Sequence, residues 1–215
     1  MIQLTEYQMT LCRLFARESA KTQQEIEFGN PDTAPRSVDE IARDNLTGKM
    51  AEVAIATMAR HEFGYLIPVN YEVYPRGQYD NEDMNINGWS IDVKATRRGN
   101  WLLIEKNKID FRRKENRLPD VVMLCRVDGD AVELVGCTSV EKLTDPDNAD
   151  VMRLRAGGYL PGTSCRLQAD NYAVRREALS DIRAAVRYMV GCRNVTADNF
   201  KAIAEAIIKR LRKPG

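Results

Sequence analysis

The sequence predicts a mixed fold of the α+β kind within the broad α/β class: helices first, a meander of strands in the middle, helices again at the end. Three observations carry this expectation. Up to Gly64, apolar residues recur at three- and four-residue spacing behind two helix-start signals. After Gly64 the apolar period falls to two, the period of a strand. Beyond Ala178 the helical spacing returns.

The elements follow in order. Thr5-x-x-Gln8 has the form of a capping box, and Tyr7, Leu11, Leu14 and Phe15 then share one helix face. Residues 29–35 are a loop by their Gly, Asn and Pro content. Ser37-x-x-Glu40 opens a second helix, which is expected to break near residues 45–48, resume to Glu62 and end at Gly64. Residues 65–74 read as a strand. Residues 83–86 and 89–96 form a hairpin about Asn87-Gly88, and residues 101–105 are expected to continue its sheet. Residues 111–118 are too charged to bury and read as loop or a short helix. Two apolar strands, 121–127 and 131–137, are joined by the turn Asp128-Gly129-Asp130. Residues 144–162 are loop-rich, and 178–190 are helical. Thr196 caps a last helix whose stripe of Phe200, Ile203, Ala204, Ile207, Ile208 and Leu211 suits core packing or an interface, including a homodimer through these C-terminal helices.

Composition narrows the function classes. With 215 residues, 44% hydrophobic and 29% charged, the chain reads as one domain. Residues 1–45 form a helical segment, 46–140 the core, and 141–215 a loop and the terminal helices. No run of 18 apolar residues exists and the first residues lack a signal-peptide pattern, so no membrane association and a cytoplasmic setting are expected. Five scattered cysteines without a CxxC pair suggest reduced thiols rather than zinc or a disulfide framework. His61 is the only histidine, which excludes histidine acid–base pairs and His-rich metal sites. Gly157-Gly158 lacks the strand–helix context of a phosphate cradle. The net charge is +1, yet residues 94–117 carry nine Lys/Arg against three Asp/Glu, a distribution suited to a polyanion.

The stretch Asp83-Met-Asn-Ile-Asn-Gly-Trp-Ser-Ile-Asp92-Val-Lys94 concentrates the chemistry. A type I′ turn at Asn87-Gly88 fixes the register: Ile86 opposite Trp89, Asn85 opposite Ser90, Met84 opposite Ile91, Asp83 opposite Asp92. Met84, Ile86, Trp89, Ile91 and Val93 then share an apolar face, and Asp83, Asn85, Ser90, Asp92 and Lys94 the other. Two carboxylates about 5 Å apart at their β-carbons repel unless the face is solvated or a cation lies between them. A partly buried face with hard oxygen donors points to Mg²⁺ or Mn²⁺. A solvated hairpin face with a cross-strand ion pair is the bland alternative. Asp83-x-Asn85-x-Asn87-Gly88 also opens like a calcium loop, but Lys94 stands where the bidentate glutamate is required.

Asp83 followed by Asp92-Val93-Lys94 on the next strand resembles the signature of the PD-(D/E)XK nuclease superfamily. The helix beginning Gly48-Lys-Met-Ala-Glu52 is similar to the helix that supplies a glutamate in that family. The strands at 119–127 and 131–138 resemble its later core strands, so the likeness spans roughly residues 46–140. Glu82, not proline, precedes Asp83. The Pro-Asp pairs at 31–32, 119–120 and 146–147 do not stand before the Asp-x-Lys and are set aside.

The resemblance implies a restriction-endonuclease-like central mixed sheet flanked by helices. It further implies hydrolysis of phosphodiester bonds in DNA, with RNA also open. Asp83, Asp92, Glu52 and the Val93 carbonyl would hold the metal, and Lys94 would orient or deprotonate the attacking water or stabilise the transition state. Arg97, Arg98, Lys106, Lys108, Arg112, Arg113 and Lys114 would contact phosphates. Tyr71, Tyr74, Tyr79 and Trp101 are candidates to stack on bases, with packing the alternative for each. A catalytically inactive nucleic-acid-binding or oligomerising member of the same fold is the second reading.

Overall fold

The computed structural model describes residues 1–23, 37–75 and 82–191. The loop expected at 29–35, Tyr79, and the terminal stripe from Phe200 to Leu211 lie outside the described residues.

A short strand β1 (Ile2–Gln3) leads into helix α1 (Glu6–Gln23). The Thr5–Gln8 box forms as read: the Gln8 amide donates to Thr5 Oγ1 at 3.3 Å and the Thr5 amide to Gln8 Oε1 at 2.8 Å. Helix α2 (Val38–Phe63) starts from the Ser37–Glu40 capping box and ends at Gly64 in the left-handed region, φ 66°. The break expected at 45–48 does not occur. Helical hydrogen bonding runs through Gly48, because neighbouring Thr47, Lys49, Met50 and Ala51 are buried and packing holds the turn that glycine weakens. The strand expected at 65–74 is also absent. That segment is irregular; Lys49 donates to the Asn70 carbonyl at 2.7 Å, and Tyr71 packs edge-on to Phe15.

The hairpin of β2 (Met84–Ile86) and β3 (Trp89–Thr96) has the predicted register, Met84 with Ile91, Asn85 with Ser90 and Ile86 with Trp89. Asn87 at φ 52° and Gly88 at φ 89° make the turn. β3 runs parallel to β5 (Val121–Asp128), which pairs antiparallel with β6 (Ala131–Ser139), and β1 closes the far edge. The resulting mixed sheet has the order β1-β6-β5-β3-β2.

The strand β4 (Trp101–Glu105) corrects the reading that it extends this sheet. It pairs instead with β8 (Asn171–Arg175), which pairs with β7 (Val151–Leu154), in a second sheet of order β4-β8-β7. Helix α3 (Lys106–Lys114) follows β4 directly, α4 (Val140–Thr144) follows β6, and a single 3-10 turn (Arg176–Ala178) precedes α5 (Ile182–Gly191).

Two cores result. Met84, Ile86, Ile91 and Val93 pack with Met50, Ala54, Ile55 and Met58 of α2 and with Ile182 and Val186 of α5. On the other side of the large sheet, Val122 and Leu124 pack with Leu102, Ile104, Ile109, Tyr172 and Val174. Asp92 lies beside Val122 and Lys94 beside Leu124 in the β3–β5 register. The second sheet and α3 therefore cover the face of β3 that carries the acids. No described helix is long and apolar enough to cross a membrane.

Candidate functional site

Alternation along β3 sends Asp92 and Lys94 to the same side, and the covering layer seals Asp92 to 3% exposure. A bare carboxylate at that depth is costly, so its oxygens need partners. Lys94 Nζ lies 2.6 Å from Oδ2, and Arg112 Nη1, from the last turn of α3, lies 2.8 Å from Oδ1. Both cations remain about one-third exposed and open the cluster to water. Burial pushes the Asp92 pKa up, but Lys94 and Arg112 together outweigh it and hold the group below its ordinary value.

Asp83 stands at the entry to β2, half-buried, with Oδ2 accepting the Val93 amide at 2.7 Å. Burial first, and the neighbouring Asp92 charge second, raise its pKa. Lys94, the Val93 amide and Arg112 offset this only in part. Asp83 and Asp92 thus act on one another electrostatically across the hairpin, and Asp83 takes the amide of Val93, the residue after Asp92.

Glu52 is placed differently. It is buried on α2, with Oε2 2.6 Å from Lys49 Nζ, and Lys49 also stands 4.3 Å from the centre of the Phe15 ring. The Glu52 charge acts on Cys12 and Tyr71, whose pKa values burial raises first and foremost. Among the described residues, no three Asp, Glu, His or Cys side chains converge as a ready-made metal site. The chemistry of the Asp83–Asp92 pair nonetheless fits a hard divalent cation. It offers carboxylate oxygens, and Asp83 is a half-buried acid whose pKa burial and the Asp92 charge raise. Mg²⁺ commonly uses only one or two carboxylates and keeps the rest of its waters.

The predicted phosphate contacts divide. Arg97 bends back onto α2, donating to Thr47 Oγ1 at 3.1 Å. It lines a polar cleft of about 490 Å³ with Arg43, Asp44, Thr47 and Thr96, where β3 leaves the sheet. Arg98 is exposed in the following turn. Lys106 pairs with Asp110 at 2.7 Å and Lys108 with Glu105 at 3.2 Å; Arg113 lies 3.9 Å from Asp110. Lys114 is exposed at the end of α3. Trp101 lies under Arg175, and Tyr74 accepts a hydrogen bond from Asn70, so each has a packing role.

Sequence reasoning placed Arg112 among generic phosphate contacts and missed its place on Asp92. The two are twenty residues apart and meet through the fold, so no local spacing could show it. It also missed Lys49, although the i,i+3 spacing to Glu52 was a readable signal. Asp120, set aside in its Pro-Asp pair, accepts the Ser90 amide at 2.8 Å and returns its own amide to the Ser90 carbonyl at 2.9 Å. It pins β5 to β3 below the site. Comparison with protein-family models, curated proteins and solved structures found no match.

Proposed function

We propose that the chain is a Mg²⁺- or Mn²⁺-dependent endonuclease that hydrolyses DNA phosphodiester bonds, with Asp83, Asp92 and Lys94 at its centre. The observation that carries this is the acidic pair at the hairpin, Asp92 sealed and Asp83 half-buried, with an ammonium 2.6 Å from Asp92 and a basic helix beside it. A bound divalent cation would supply Lewis acidity and a water of lowered pKa. Asp83 and Asp92 would hold it, with the Val93 carbonyl as a further oxygen. Lys94 is fixed by Asp92 in a position to orient the attacking water or to offset charge gathering on the phosphate. Glu52 would join only by releasing Lys49. Arg98 and the cations of α3 would hold the phosphate backbone, a sequence-independent role.

One observation favours a second reading, a nucleic-acid-binding protein of the same architecture without catalysis. Both oxygens of Asp92 already hold cations, so the cluster is satisfied as it stands. Supercoiled plasmid separates the two. Nicking or linearisation in Mg²⁺, abolished by chelator and lost in Asp92→Ala and Lys94→Ala proteins with native circular dichroism, supports the nuclease. Retention of plasmid in a gel without any cleavage supports the binding protein.

A further inference from the structure

We propose that Arg112 is a built-in counter-cation: it holds Asp92 while the site is empty, yields that carboxylate to the divalent ion, and then serves the substrate phosphate. The inference rests on the nuclease reading and assigns within it a positioning residue that the Asp-x-Lys pattern does not contain.

Charge and geometry argue for it. Asp83, Asp92, Lys94 and Arg112 form a cluster whose formal charges cancel, two negative and two positive. Of the two cations, Lys94 stands on the same strand as Asp92, two residues on, so its ammonium stays within reach of the pair whichever way its side chain turns. Arg112 comes from a separate element, reaches Asp92 Oδ1 with Nη1 at 2.8 Å, and is 32% exposed. Because it belongs to a separate element, it can leave Asp92 for a substrate without moving the strand that carries the acid. The other cations of α3 with carboxylate neighbours find them locally, at Glu105 and Asp110, whereas Arg112 alone of these reaches the site. A divalent ion drawn to Asp92 repels the guanidinium beside it. The freed fork matches two phosphate oxygens, a geometry that lysine lacks.

The test is calorimetric titration of Mn²⁺ into the full chain, wild type against Arg112→Gln and Arg112→Lys, with no nucleic acid present. Removing a positive charge next to the ion should tighten Mn²⁺ binding roughly tenfold in Arg112→Gln. Arg112→Lys should bind Mn²⁺ like wild type, yet hold duplex DNA several-fold more weakly in Ca²⁺. Equal or weaker Mn²⁺ binding by Arg112→Gln overturns the role of Arg112 and leaves the nuclease reading standing. Absence of Mn²⁺ binding in both proteins overturns the nuclease reading and this inference with it. Should Arg112→Gln fail to fold, the side-chain Nε–H resonance of Arg112 in the wild-type protein decides: it moves on addition of Mg²⁺, and a resonance that stays in place refutes the exchange.

Discussion

Asp83 and Asp92 are neighbours whose pKa values move in opposite directions, and this gives the site a pH signature. The folded pKa of Asp92 lies below its ordinary value, so its pairing stabilises the fold above the ordinary carboxylate range and is lost as pH falls through the lowered value. For Asp83 the folded pKa is raised. The folded state retains a proton there that the unfolded chain has already released, so stability declines as pH rises from the ordinary value through the raised one. Asp83→Asn removes that decline and leaves a carbonyl to accept the Val93 amide. In chelator at neutral pH, Asp83→Asn should therefore melt above wild type, with the gap closing at pH below the ordinary carboxylate range. Adding Mg²⁺ should raise the wild-type melting temperature and leave Asp83→Asn nearly unmoved. Thermal denaturation across pH, with and without Mg²⁺, checks both. Three buried thiols stand apart from this chemistry: burial raises Cys12 and Cys137 to about 11 and Cys125 to about 12, which favours their protonated form at neutral pH.

The elements show why only part of this arrangement was legible in the chain. Signals that act within a few residues came through intact: both capping boxes, the Gly64 stop, the Asn87-Gly88 turn with its register, and the Asp128-Gly129-Asp130 turn between β5 and β6. Features decided by tertiary contact did not. The spacing of β4 is that of any half-buried strand, and its partner β8 lies some seventy residues on, so nothing local placed it in a second sheet. The irregular segment after Gly64 alternates like a strand but is captured by α1 and α2 through Tyr71 and Asn70. The acid face is partly buried, as inferred, with Asp92 sealed, Asp83, Ser90 and Lys94 half-buried and Asn85 exposed, and the cover comes from that second sheet and from α3. A Cβ on Gly136 of β6 would stand 2.4 Å from the Leu179 Cβ, beside the Cys137–Ser180 backbone pair. Gly136→Ala should therefore cost about 1–3 kcal/mol in urea unfolding. In α2, Glu52→Leu alone leaves a buried ammonium with the Asn70 carbonyl and the Phe15 ring but no counter-charge and should cost about 3 kcal/mol, while Lys49→Met with Glu52→Leu should recover most of it. Non-additive unfolding energies in that cycle establish the ion pair as the resting state of Glu52.

At the scale of the molecule, the large sheet separates two cores, and the site lies at the seam on the side of the smaller one. α2 and α5 brace the hairpin from behind through Met84, Ile86 and Ile91, while α3 delivers Arg112 from the front. This division predicts that the site tolerates changes on one side better than the other. Ile109 anchors α3 in the smaller core at 2% exposure. Ile109→Ala should cost about 2–4 kcal/mol and loosen Arg112 and the basic helix, weakening DNA retention beyond the loss expected from stability alone. A truncation of similar cost in the larger core, Ile55→Ala, should lower stability but leave retention by the folded fraction unchanged. Gel retention at a temperature where both variants are folded distinguishes them.

The proposed chemistry needs one ion shared by Asp83 and Asp92. Crystals grown in Mn²⁺ and measured at a wavelength where manganese scatters anomalously test it directly. The expected result is an anomalous peak roughly 2.1–2.3 Å from oxygens of both Asp83 and Asp92, with Arg112 turned away. Asp92 still clamped by Lys94 and Arg112 at saturating Mn²⁺, with no peak at the pair, would contradict it.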